Sequence, residues 1–170
     1  MLETEDYDQA YLGTLTSEGF PPELSIEPLE YEDHQPPLYY VLAAPVYWVF
    51  GGALLPLRLL TVGIGSALLF AAYRTVRVVT PDKLRVAVLA TGFIAFIPQH
   101  TAMTAGVNND VLAELVVATT LWASVVYVGR KASPPWRLGL LVGIALLTKT
   151  TAYVVVGVAA AAVVIRWHRD

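Results

Sequence analysis

The sequence predicts an all-α, polytopic transmembrane helix bundle. Three observations lead there. Of 170 residues, 56% are hydrophobic and only 15% are charged, where a soluble domain carries roughly a quarter. The apolar residues fall in long stretches, 38–79, 85–129 and 138–165, the last broken mainly by Lys149. A membrane helix needs about 20 such residues. Nothing alternates with a period of two, which disfavours a transmembrane β-barrel.

Charge gives the chain a direction. Residues 1–35 hold ten of the fourteen acids and no Lys or Arg. Most cations sit in three clusters: Arg74, Arg77, Lys83 and Arg85; Arg130, Lys131 and Arg137; Arg166 and Arg169. The positive-inside rule places all three in the cytoplasm. They read as the flanks of membrane helices, so no nucleic-acid partner is expected. There is no cysteine, which excludes disulfides and thiolate-metal sites.

The elements follow in order. Residues 1–37 are acidic and punctuated by Pro21, Pro22, Pro28, Pro36 and Pro37. They predict an outer loop with one short helix around Tyr7–Ser17, stopped by Gly19 and the prolines after it. Residues 38–53 are apolar but short, interrupted by Pro45, and rich in Tyr39, Tyr40, Tyr47 and Trp48. Aromatic residues favour the membrane–water boundary, so this stretch predicts an interfacial juxtamembrane helix. The remainder, 56–170, is the transmembrane region. Spans are expected at 56–73, 86–98 and 111–128, followed by two pieces at 138–148 and 150–165 separated only by Lys149. Parity agrees with this order: the basic loops 74–85 and 130–137 lie inside, the loop 99–110 outside, and "RWHRD" inside again. Residues 1–37 and 99–110 are then both extracytoplasmic. No signal peptide or earlier span precedes an outer amino terminus. The expectation is a chain that lacks an upstream helix, with further helices beyond its basic end.

The polar residues near the outer helix ends carry the chemistry. Asp110 heads a span and follows Asn108 and Asn109. An acid there caps the helix and meets its positive dipole end, but three such side chains in a row exceed what one cap needs. Glu114 lies one turn deeper on the same side. A carboxylate at that depth implies function, an internal partner, or reach to water. Lys149 interrupts apolar runs at the outer face. It either snorkels or faces a bundle cavity as a point charge for phosphate. Arg58, after Pro56, has the same two readings. Pro36 and Pro37 set an extended turn onto the next helix, yet that does not account for the Glu-Asp-His34-Gln35 before them.

Four stretches, "HQPPLYYVLAAPVYWVFG", "LRLLTVGIGSALLFAAYRTVR", "FIPQHTAMTAGVNNDVLAELVVATTLWA" and "LGLLVGIALLTKTTAYVVV", occur in the order seen in GT-C-type membrane glycosyltransferases. The chain most resembles the protein O-mannosyltransferase and aminoarabinose-transferase branch, and the resemblance spans nearly its whole length. It implies the N-terminal part of a GT-C fold. It also implies transfer of a sugar from a polyprenyl-phosphate carrier to a protein or glycolipid acceptor on the extracytoplasmic face. The family carries an acidic pair in its first outer loop, which Glu5 and Asp6 match best. Asp8 stands where relatives often have histidine. Asp110 matches the second acidic position, and Lys149 the Lys of a Leu-x-Lys stretch. Gln35 stands where some relatives have Lys.

The resemblance therefore implies Glu5, Asp6 and Asp110 as catalytic residues. His34, Gln35, Arg58, Asn109 and Lys149 are implied to bind substrate. A carboxylate can act as general base on an acceptor hydroxyl, while cations steady the departing polyprenyl phosphate. A divalent metal held by the carboxylates is a further possibility; no cofactor is otherwise implied. Two other classes remain open: a transporter or flippase piece with Glu114 and Lys149 along its path, and a non-catalytic membrane remnant.

Overall fold

The computed structural model describes residues 9–19, 21, 36–129 and 133–169. It divides into two units, 1–35 and 36–170. In the first, helix α1 spans Gln9–Ser17, close to the expected Tyr7–Ser17, of which Tyr7 and Asp8 lie outside the described residues. The chain leaves α1 through Gly19, whose φ of 71° suits glycine. Glu5, Asp6, His34 and Gln35 also lie outside the described residues.

The second unit is all-helical across its described residues, as the sequence predicts. Helix α2, Leu38–Val49, starts directly after Pro37. At 12 residues it is about 18 Å long, too short for a hydrocarbon core of about 30 Å. It ends in a glycine turn: Gly51 and Gly52 have φ of 61° and 79°, and the Gly52 N–H donates to the Tyr47 carbonyl at 2.8 Å. Helix α3, Leu54–Val79, is 26 residues, or about 39 Å, and spans with length to spare. Tyr39 and Thr61 join the two through their buried hydroxyls, 3.3 Å apart.

The next span is broken. Helix α4, Leu84–Ala95, and helix α5, Pro98–Ala105, meet at 63°. Proline disfavours the helical conformation in the residue before it, and Ile97 is extended, with φ −64° and ψ 121°. Pro98 then opens α5, where its missing N–H leaves no intrahelical bond unmade. Of the loop expected at 99–110, residues 99–105 are thus helix, and the true connection is Gly106–Asn109.

Helix α6, Asp110–Gly129, is central. It packs against α3, α5, helix α7 (Trp136–Leu146), helix α8 (Val154–Arg169) and the 3₁₀ turn Thr150–Tyr153. A non-helical turn separates α7 from the last span. The chain leaves α7 after Leu146, becomes extended at Lys149 (φ −167°, ψ 147°), and re-enters a helix. The turn and α8 together are 20 residues long, enough to cross a bilayer.

The buried faces are built from small residues at helical spacing: Thr61, Gly65, Leu68 and Ala71 on α3, and Val155, Ala159 and Ala162 on α8. Between membrane helices the lipid offers no hydrophobic drive, so close van der Waals packing must hold them. Large apolar side chains such as Leu59, Phe70, Leu89, Phe93, Leu140 and Val164 are left exposed. Such a surface suits hydrocarbon rather than water.

Gly65 shows how tight the packing is. A Cβ built there would lie 2.8 Å from Thr104 Cγ2 and 2.9 Å from Thr104 Oγ1. Gly65→Ala is expected to lower the unfolding midpoint in detergent, at an overpacking cost of about 1–3 kcal/mol. Thr104→Ala in the same chain should recover most of that loss. Additive effects of the two substitutions would show that α3 and α5 do not meet there.

Candidate functional site

The bend between α4 and α5 and the turn between α7 and α8 bring polar residues to one end of the bundle. The turn after α7 places Lys149 across from the start of α6. Its backbone is extended, and its side chain is buried. The ammonium donates to Asp110 Oδ1 at 2.8 Å and to Asn109 Oδ1 at 3.2 Å. Asn108 caps α6: its Oδ1 accepts the Asp110 backbone N–H at 3.1 Å. The three consecutive polar residues thus divide the work. Asn108 serves the helix end, while Asn109 and Asp110 hold the lysine. Asp110 also lies at the positive end of the α6 dipole, and Lys149 follows the negative end of α7. Both charges suit their surroundings.

Burying an ammonium without a partner is costly, so Lys149 is neither snorkelling nor free. Nor is the site saturated. Asp110 Oδ2 accepts no hydrogen bond from the described residues, and Asn109 Nδ2 is buried with no partner. An ammonium has three N–H donors, of which Asp110 and Asn109 account for two.

One turn deeper, Glu114 has the internal partner that its depth requires: His100 Nδ1 lies 3.0 Å from Glu114 Oε2. His100 is buried on α5. This pair was not anticipated, because His100 was read as part of a loop. The signal was nevertheless there, since Glu114 within an apolar run called for a partner.

His100, Glu114 and Asp110 border one cavity of about 570 Å³ between α3, α4, α5 and α6, and Lys149 lies behind Asp110 rather than in its lining. Gln99, His100, Asp110, Glu114 and Thr151 supply its polar lining. Deeper along α3 and α6 it is lined by Leu68, Ala72, Val76, Val117 and Leu121. Its shape and chemistry are those of a lined groove with one polar end. Arg58 is not part of it. Arg58 is exposed on the first turns of α3, at the same end of the bundle, without an ion-pair partner among the described residues.

Of the eight site residues expected, the structure brings together Asn109, Asp110 and Lys149. Glu5, Asp6, His34 and Gln35 lie outside the described residues, and Arg58 stands apart. Among the described residues no three His, Asp or Glu side chains converge; Glu5 and Asp6, the other carboxylates expected to share a metal, lie outside them.

The long apolar helices, their lipid-compatible surface and two polar pairs at one end define a multi-pass helical membrane protein. Residues 34–169 match the family model described as dolichyl-phosphate-mannose-protein mannosyltransferase. The match covers most of the chain, and the chain belongs to that family of membrane glycosyltransferases. No curated protein and no solved structure matches it.

The Lys149–Asp110 pair can be weighed by a double-mutant cycle. Lys149→Met strands the Asp110 carboxylate and is expected to destabilise by about 1–3 kcal/mol, the range for a hydrogen bond to a charged group. Asp110→Asn combined with Lys149→Met should cost less than the sum, with coupling of about 1 kcal/mol or more. Strict additivity in detergent unfolding would mean the two side chains are energetically independent.

Proposed function

We propose that this chain belongs to a GT-C-type glycosyltransferase that moves a sugar from a polyprenyl-phosphate carrier to an acceptor on the extracytoplasmic face. One observation carries this reading beyond the family itself. A buried lysine lies 2.8 Å from an acid that lines a cavity with a polar end and an apolar interior. That combination suits a ligand with an anionic head and a hydrocarbon chain. The chain would lie along Leu68, Val76 and Leu121, and the phosphate would meet Lys149.

The chemistry follows from the groups. An acceptor hydroxyl attacks the anomeric carbon of the sugar. The carbon–oxygen bond to phosphate breaks, polyprenyl phosphate leaves with the electron pair, and the acceptor's proton passes to a carboxylate. Lys149 is the candidate for the charge that develops on the leaving phosphate. A lysine acts there as a point charge, and within a low-dielectric site such a charge counts for more than in water. Asp110, with Oδ2 free of described partners, is one candidate for the base. Glu5 and Asp6 are the others, on the strength of the resemblance. His34, Gln35 and Arg58 remain candidates for further contacts to the donor. No step requires a metal.

The deciding experiment is sugar transfer from a polyprenyl-phosphate donor by the full-length gene product. Asp110→Asn, Lys149→Met and Glu5→Gln are each expected to lower turnover by about 10²-fold or more, the scale of a lost acid–base or charge-stabilising group. Unchanged transfer in Asp110→Asn and Lys149→Met would remove both from the reaction.

Topology has its own test, helped by the absence of native cysteine. On this reading Val107→Cys reacts with an impermeant maleimide applied to intact cells, and Asp82→Cys reacts only after permeabilisation. The reverse pattern would put the Lys149 end in the cytoplasm and exclude an extracytoplasmic acceptor.

A further inference from the structure

The end of the bundle away from Lys149 collects every described Lys and Arg except Arg58 and Lys149 itself. Among the described residues Asp82 is the one acid there, and neither Arg74 nor Arg77 has an ion-pair partner among them. A recess of about 580 Å³ opens at this end between the last turns of α3 and the end of α6. Tyr73, Arg74, Arg77, Pro81 and Gly129 line it.

Arg74 is held rather than loose. Its guanidinium carbon lies 5.4 Å from the centroid of the Trp122 ring and 5.8 Å from that of Phe70. Such cation–π contacts hold the guanidinium beside the recess. Its N–H fork matches the geometry of a phosphate. Arg77 follows three residues later on the same face of α3, so two cations address one recess.

The depth of the recess is marked independently. Trp136, at the start of α7, and Trp167, near the end of α8, are both strongly exposed at this end. Exposed tryptophan in a membrane protein favours the headgroup level. Basic pockets between helices at that level suit anionic lipid headgroups.

We propose that this recess binds the phosphate headgroup of an anionic phospholipid from the leaflet at that end. Arg74, pre-set by Trp122, and Arg77 share the phosphate oxygens, and the acyl chains lie against the exposed apolar flank of α3. The assignment is independent of the transfer reaction and of the cavity at the Lys149 end.

The test is thermal stabilisation of the purified full chain in a neutral detergent, titrated with phosphatidylglycerol, phosphatidylcholine or inorganic phosphate. Phosphatidylglycerol should stabilise at a concentration about tenfold or more below phosphatidylcholine, a difference of about 1.4 kcal/mol. Inorganic phosphate should give no comparable shift, and equal protection by it would overturn the lipid assignment. Arg74→Gln with Arg77→Gln should abolish the preference for phosphatidylglycerol. Lys83→Gln with Arg169→Gln removes the same charge from the same end and should leave the preference unchanged. Equal loss in both pairs would reduce the effect to diffuse surface charge and sink the proposal. Arg74→Lys with Arg77→Lys keeps the charge and serves if the glutamine variant fails to fold. It should weaken the preference, because lysine lacks the fork and the stack. Wild-type behaviour of the lysine variant would also overturn the proposal.

Discussion

The ion pair between Lys149 and Asp110 is the constraint on which one end of this bundle depends. The turn between α7 and α8 leaves backbone groups and a cation at the end of an apolar bundle. The chain meets both needs at one place. The Leu147 carbonyl, freed by the end of α7, accepts the Leu38 N–H at 2.9 Å, and the Lys149 ammonium reaches α6. The starts of α2 and α6 are thereby tied to the same break. A buried pair of this kind adds little net stability over an apolar replacement, because desolvation offsets attraction. Its effect is on uniqueness. With one partner absent, the other charge has nowhere favourable to go, so alternative registers of α7 and α8 against α6 are penalised.

The rest of the packing has to be consistent with that register. Helix α6 buries small or medium side chains toward its neighbours: Ala113, Val116, Thr120 and Ser124. Thr120 spends its hydroxyl on its own helix, bonding the Val116 carbonyl at 2.7 Å. Thr61, Thr91 and Thr148 do likewise with the residue four before. Thr120, Thr91 and Thr148 therefore pack as compact apolar groups, whereas Thr61 also meets the Tyr39 hydroxyl of α2. Thr104 is the exception. It is pressed against Gly65, and its hydroxyl is buried without a partner. That close approach fixes where α5 lies across α3, and with it the wall of the cavity that carries His100.

Much of this was legible in the sequence. Long apolar runs and clustered cations reported the spans and their order, because hydrocarbon thickness and headgroup charge act on composition directly. Asp110 and Lys149 stood out because charge is rare inside such runs. What sequence reasoning missed lies where two local signals compete. "FIPQHTAMTAG" is polar enough to resemble a loop, yet Pro98 is a good first residue for a helix, and α5 forms. His100 was overlooked for the same reason: its role depends on the angle between α4 and α5, which no periodicity records. Glu114 announced a need without naming its partner. Arg58 illustrates the opposite case, a conspicuous charge that the fold leaves at the surface.

The two ends of the bundle use cations in different ways, and the difference has a physical consequence for the proposed reaction. The basic end places Arg74 at its surface, where its field is screened within about a Debye length. Lys149 is buried and committed, so its charge acts locally. It is also already desolvated, and a phosphate arriving at the polar end of the cavity need not strip water from it. The third N–H of the ammonium allows such an oxygen to be bound while Asp110 and Asn109 keep the other two. Asp110 need not surrender its lysine for the donor to bind, and its second oxygen has no described partner. An arginine could not substitute simply: its planar fork would claim both Asp110 oxygens in a bidentate pair. Lysine holds the acid through one oxygen and leaves the other for work.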